Sequence, residues 1–315
     1  MQRKRPEQTR LGRGELFFGD CASWLDDLAR RRRRYDLVYV DPPFNAGGVR
    51  GARAGRGERA TGISAYRDAW GGLEAFLQML VPRLEKMAAL LSTRGSLWVH
   101  LDHRAVHDTK VALDGILGRR AFRGEIIWVP GNGSRARNGP GVTHQTLLIY
   151  APGELIWNRE APELREPFAD TSLSMHFNKL DARGRRYRER KIRGKTYRYF
   201  ADKGRQLGSV WSDCPAMRAN TPLNREATGY PTQKPERLLR RILIASTLRD
   251  SAVLDPMCGS GTTLVAAERL GRRWTGGDQS TVALDIAARR LSAIARPQKT
   301  SGPGTKSQSP KAKPT

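Results

Sequence analysis

Short runs of apolar residues alternate along this chain with segments whose apolar positions recur every three or four residues. The first pattern marks buried strands and the second amphipathic helices, so together they predict a mostly parallel sheet covered by helices. Strands are expected at 15–19, 35–40, 96–101, 125–129, 145–150, 252–255 and 274–277, and helices at 73–91, 105–117, 235–248, 262–270 and 281–294. The helix beginning at Pro235 is the clearest, because Leu238, Leu239, Ile242 and Leu243 form one apolar stripe behind a proline at its start. Two stretches break the rhythm. Residues 45–69 are rich in Gly and Arg without periodicity and read as a long mobile loop. Residues 158–227 are polar and rich in turn formers, and read as an insertion on the sheet scaffold. The expected division is therefore a basic tail at 1–13, a first part of the α/β domain at 14–157, the insertion at 158–227, a second part at 228–295 and a basic, solvated tail at 296–315.

Charge changes the picture. The 315 residues carry 56 Lys and Arg against 31 Asp and Glu, a formal net charge of +25. An excess of that size repels itself unless a polyanion neutralises it, which points to nucleic acid. A GC-rich coding sequence accounts for a share, since the arginine run at 30–34 also reads as a solvated helix face. The densest segment, 183–205, holds eleven basic and two acidic residues with Tyr187, Tyr197, Tyr199 and Phe200 interleaved. Arg186, Arg188, Arg193, Lys195 and Tyr197 are its candidate DNA contacts; a solvated hairpin is the plainer reading. Cys21, Cys214 and Cys258 form no C-x-x-C pair, which fits a reducing cytoplasm and argues against a cysteine zinc site. His100, His103 and His107 read as surface or capping histidines, and no metal is expected. No apolar stretch reaches membrane-spanning length, and the basic N-terminus lacks a signal-peptide core.

Two motifs carry candidate chemistry. Asp41-Pro42-Pro43-Phe44 directly follows the apolar run at 35–40, and in an open α/β sheet ligands bind beyond the carboxyl ends of strands. Two prolines in succession fix φ twice and remove two N–H donors. A carboxylate among bare carbonyls accepts only, which suits an –NH₂ group, and Phe44 offers a face on which a base can stack. The second motif, Asp255-Pro256-Met257-Cys258-Gly259-Ser260-Gly261-Thr262-Thr263, joins a strand to a helix start through a glycine turn. Asp278, at the end of the next strand, stands where a ribose diol would be bound. Alone, this second motif suits a dinucleotide as well; the acid inside the turn favours a cationic ligand.

Together the motifs resemble the amino-methyltransferases of DNA, in particular the permuted class called β, whose D-P-P-Y/F motif precedes the cofactor motif and whose target-recognition region lies between them. The resemblance extends from Glu15 to Ile294. Leu16 to Asp20 is similar to the family's opening segment, whose acid faces the cofactor adenine; Ser64 to Trp70 to its Y-x-D-x-W; and Gly229-Tyr230-Pro231-Thr232-Gln233-Lys234-Pro235 to its G-Y-P-T-Q-K-P. The resemblance implies a Rossmann-like, doubly wound sheet of seven strands, circularly permuted, with S-adenosylmethionine as cofactor and double-stranded DNA as substrate. It implies cofactor contacts from Asp20, Cys21, Gln233, Lys234, Asp255, Pro256, Cys258, Gly259, Ser260, Gly261, Thr262 and Asp278, and catalysis at Asp41, Pro42, Pro43 and Phe44. It further implies a bacterial or phage enzyme, a homodimer and a cognate restriction enzyme as possible partners. Phe44 stands where Tyr is commoner, and Met257 where Phe is usual. The target is expected to be adenine N6, with cytosine N4 as the alternative, because cytosine enzymes of the family more often carry Ser in place of Asp41. Plainer roles remain open beside these: Asp20 as a helix cap, Gln233 and Lys234 as caps of the following helix, Phe44 as a core aromatic, and the whole as a catalytically silent DNA-binding relative.

Overall fold

The computed structural model describes residues 8–43, 49–54, 61–67, 71–131, 136–217 and 226–295. In chain order the first elements are β1 (Gln8–Leu11), β2 (Gly14–Phe18), α1 (Cys21–Arg30), β3 (Tyr35–Val40), β4 (Val49–Ala54), β5 (Thr61–Arg67), α2 (Leu73–Ala89) and β6 (Leu91–Leu101). Next come α3 (Val106–Leu117), β7 (Phe122–Trp128), β8 (Gln145–Tyr150), β9 (Arg165–Glu166), α4 (Asp170–His176), β10 (Lys179–Leu180), β11 (Arg186–Ile192), β12 (Lys195–Phe200), β13 (Arg205–Gln206) and β14 (Val210–Trp211). The chain closes with α5 (Glu236–Ser246), β15 (Ala252–Asp255), α6 (Thr262–Arg269), β16 (Arg273–Asp278) and α7 (Thr281–Ala295).

Nine strands form one sheet in the order β1-β2-β16-β15-β3-β6-β8-β7-β14. From β2 to β6 all neighbours run parallel; β8 is inserted antiparallel, and β1 is an antiparallel edge. The strand preceding Asp41 and the strand ending in Asp255 are direct neighbours, with Leu37 opposite Val253 and Val38 opposite Leu254. That adjacency brings two motifs more than 200 residues apart to one rim.

Period two sorts the side chains between two cores. Val38 and Val40 pack with α1, α2 and α3, whereas Leu37 and Tyr39 face α5, α6 and α7. Because both faces are covered, these strands read as continuous apolar runs.

Several expectations change. The tail at 1–13 contributes β1, which pairs with β2 residue for residue from Gln8–Phe17 to Leu11–Gly14. The 45–69 stretch, expected as a loop, contains the antiparallel ribbon β4–β5 in its described residues. The insertion is not separate from the scaffold at its end, because β14 joins the main sheet beside β7. His100 is no surface residue: it is fully buried on β6, its Nδ1 2.8 Å from the Tyr39 hydroxyl. Among the described residues no helix is long and apolar enough to cross a membrane.

Candidate active site

The carboxyl ends of β2, β3, β15 and β16 open into one cleft lined by Asp20, Cys21, Tyr39, Asp41, Pro42, Pro43, Tyr230, Gln233, Lys234, Asp255 to Ser260, Thr262, Thr263 and Asp278. Four carboxylates thus meet two cations, Lys234 and Arg83, among the described lining residues. Phe44, Asp68 and Trp70 lie outside the described residues.

Asp41 leaves the end of β3 on the same face as Tyr39, towards the segment that precedes α5. There Lys234 forms an ion pair with Asp41 Oδ2. The Lys234 side chain is 8% exposed and that of Asp41 20%, so the pair is largely withdrawn from water. Pro42 beside it is buried.

The glycine turn is held from three sides. Gly259 and Gly261 adopt φ of +51° and +76°, a region that favours residues without a Cβ. Asp278 accepts from Gly259 N and Ser280 N, each at 2.9 Å, and Cys258 N donates to Gly277 O at 3.0 Å. Gly259 borders the cleft, where an added Cβ would lie 3.3 Å from the Tyr230 ring. Gly261 does not line it. Its added Cβ would stand 2.7 Å from the Cβ of Ala287, so the missing side chain lets α7 approach the turn closely.

Burial pushes the Asp255 carboxyl up to about 7, reinforced by Asp41 and opposed by a hydrogen bond from Thr263. Asp278 is also raised by burial, against the backbone bonds it accepts. Burial lifts the Cys21 thiol to about 12 and the Cys258 and Cys214 thiols above their ordinary range, which disfavours the thiolate form.

Asp20 is the N-cap of α1, accepting from Ala22 N at 2.9 Å, and Arg83 of α2 clasps it through Nε at 3.2 Å and Nη2 at 2.5 Å. Asp20 therefore caps α1 and also borders the cleft. Gln233 accepts from Thr228 N and Oγ1 and donates to Glu226 O, which fixes the turn before α5. Tyr39, Met79, Arg83 and Tyr230 are lining residues that the motifs did not single out. Tyr39 was within reach of period two from Asp41, and Tyr230 sits inside a quoted motif; Met79 and Arg83 carry no local signal.

The 158–227 region holds the three-stranded sheet β10-β11-β12, whose hairpin turns at Arg193-Gly194 with φ of +48° and +79°. The five candidate DNA residues separate here. Arg186 donates to Phe177 O and Leu173 O at 3.0 and 2.9 Å, closing the end of α4, and Arg188 lies over the rings of Phe168, Phe177 and Tyr199. Both anchor the root of the hairpin. Arg193, Lys195 and Tyr197 stay exposed at its outer end.

A cleft with surplus carboxylates, at the switch point of a doubly wound sheet, fits S-adenosylmethionine: its sulfonium is cationic and its ribose donates hydroxyls, while a pyrophosphate would face repulsion. The fold is that of S-adenosylmethionine-dependent methyltransferases of DNA. The M1.HpyAVI–SAM complex superposes with a TM-score of 0.54 at 17% identity, covering 88% of this chain and 98% of that one. The PvuII DNA methyltransferase (cytosine-N4-specific) gives 0.53 at 14% identity, covering 92% and 95%. A family model described as DNA methylase, of the N6/N4 type, matches residues 35–289, and the chain belongs to that family of DNA amino-methyltransferases. Its relatives include the type II methyltransferase M.EcaI of Enterobacter cloacae, 26% identical over 88% of this chain and 69% of that protein. Another is M2.LlaDCHI of Lactococcus lactis subsp. cremoris, 28% identical over 81% of each.

Proposed function

We propose that this enzyme methylates adenine N6 in double-stranded DNA at a specific sequence, with Asp41, Pro42, Pro43 and Phe44 as its catalytic residues. The observation that carries the reading is an acid at position 41, backed by a buried lysine, at the mouth of the carboxylate-rich cleft. Bound S-adenosylmethionine supplies a methyl group activated by a sulfonium. The target amino nitrogen is a poor nucleophile, because its lone pair is delocalised into the ring, and inside a duplex it is out of reach; the base must be flipped into the cleft. Asp41 and the Pro42 carbonyl accept the two amino hydrogens and turn the lone pair towards the methyl. A carboxylate has about four lone-pair sites, so the pair with Lys234 leaves it capacity to accept. Phe44 stacks on the flipped base. Displacement then depends on positioning, and the departing proton is received on the Asp41 side of the base.

For the cofactor, Asp278, Asp255 and the 256–260 turn form the proposed cradle, with Asp20 and Cys21 on the adenine side and Gln233 and Lys234 closing it. The outer hairpin residues Arg193, Lys195 and Tyr197 supply the proposed DNA contacts. The order of the motifs, with Asp41 ahead of Asp255 in the chain, supports the permuted class β. A homodimer and a cognate restriction enzyme are partners this reading admits. The test is mass spectrometry of nucleosides from DNA methylated by the purified enzyme. N6-methyladenine is expected; N4-methylcytosine as the product would replace the adenine reading.

A further inference from the structure

At the opposite end of the sheet, the amino ends of β2, β3, β15 and β16 surround a second cavity, about 640 Å³ in volume. Six arginines line it: Arg10, Arg13, Arg32, Arg33, Arg34 and Arg273, all exposed. They come from the β1–β2 hairpin, the turn after α1 and the start of β16, so only the fold gathers them. Among the described lining residues Glu15 is the one acid. It lies at the floor, 9% exposed, and receives Arg33 Nη2 at 3.0 Å and Arg10 Nε at 3.6 Å. Asp250 at the rim takes Arg13 at 3.1 Å. Two acids thus orient guanidinium groups while most of the positive charge stays uncompensated.

One backbone detail points the same way. The turn after α1 closes with Arg32 N bonded to Ala29 O and Arg33 N to Leu28 O, and Arg32 takes φ of +53°. Glycine is favoured there, so an arginine is held in a disfavoured conformation at the mouth of the cavity.

We infer that this groove binds the phosphate backbone of a second DNA duplex, on the face opposite the catalytic cleft. Guanidinium forks match phosphate oxygens, and a row of them gains affinity by releasing counterions. An acidic protein is the poorer fit. Protein interfaces need an apolar centre, whereas the apolar lining residues Tyr35 and Trp274 are 3% and 2% exposed. The inference goes beyond the proposed function, resting only on its premise that the chain acts on DNA; the cleft and hairpin engage the duplex that is methylated.

The test counts duplexes of about two helical turns bound per chain at saturation in low salt, by calorimetry and mass photometry. Wild type should bind two. The variant Arg32→Gly/Arg34→Glu removes charge where glycine suits the backbone, so it should fold, bind one duplex per chain and retain the wild-type rate of methyl transfer. One duplex per chain for the wild type, or two for the variant, overturns the inference, and no binding at all removes its DNA premise as well. Displacement of the second duplex by ATP at equal total phosphate would make the groove a nucleotide site, and would also overturn it.

Discussion

Lys234→Met isolates the buried ion pair on which the geometry of Asp41 depends. The substitution keeps the length of the aliphatic stem and removes the ammonium, leaving the Asp41 carboxylate facing Asp255 without this ion pair. Breaking a buried pair from one side costs about 3–5 kcal/mol, because the remaining charge is stranded. Asp41 retains some solvent contact, which places the expected loss near 3 kcal/mol, at the lower end of that range. At roughly 2–4 °C per kcal/mol, the melting temperature should fall by about 6–12 °C. The matching variant Asp41→Asn removes the carboxylate charge instead, and the double variant removes both members of the pair. Calorimetric unfolding of all four proteins closes the cycle, and the double variant should lose less than the sum of the two single losses. Additive losses would refute a stabilising coupling between Lys234 and Asp41. Methyl transfer by Lys234→Met should fall as well, since the carboxylate loses the group that fixes it.

Asp255, raised to about 7 from an ordinary value of 3.8, makes stability depend on pH. Below the unfolded value both states hold the proton; between the two values only the folded state does, so stability declines as pH rises towards about 7 and then levels. Urea midpoints across that window should show the decline, and Asp255→Asn should flatten it; an unchanged slope in the variant would move the titration elsewhere. Cofactor binding runs the opposite way: calorimetry should find S-adenosylmethionine binding tighter as pH rises through about 7, because the ionised Asp255 favours a cation. Gly261→Ala should lower stability by about 1–3 kcal/mol through the clash with Ala287, and Ala287→Gly should relieve it; loss of cofactor affinity with unchanged melting would return Gly261 to the cleft. Arg193→Ala with Lys195→Ala should reduce the salt slope of DNA binding by about two units, whereas Arg186→Ala should leave the slope and loosen the insertion to proteolysis.

Apolar runs were legible wherever both faces of a strand are buried. The expected strands at 35–40, 145–150 and 252–255 coincide with β3, β8 and β15. The start of β6 was hidden because Ser92, Thr93, Arg94 and Gly95 break the apolar pattern where the register with β3 shifts, between Leu91 opposite Tyr35 and Ser96 opposite Leu37. β1 and β14 are edge strands of four and two residues, stabilised by pairing more than by their own sequence. The motifs located the cleft, since they fall at strand ends that the topology makes adjacent. What they could not reveal was division of labour: that Lys234 pairs with Asp41, that Gly261 faces Ala287, and that Arg186 closes α4. Each of these is a contact between segments far apart in the chain, or a choice between the two faces of one element.

Tritiated methyl transfer to DNA by Asp41→Asn, run beside cofactor binding on the same preparation, tests the central claim most directly. Asn keeps the size and one acceptor oxygen but presents an NH₂ donor to the target amino group and removes the charge that favours the forming cation. Turnover should fall about a hundredfold or more, the scale of losing one electrostatic stabiliser, while affinity for S-adenosylmethionine changes little. Near-normal methyl transfer by this variant would contradict the assignment of Asp41 as the group that accepts from the base.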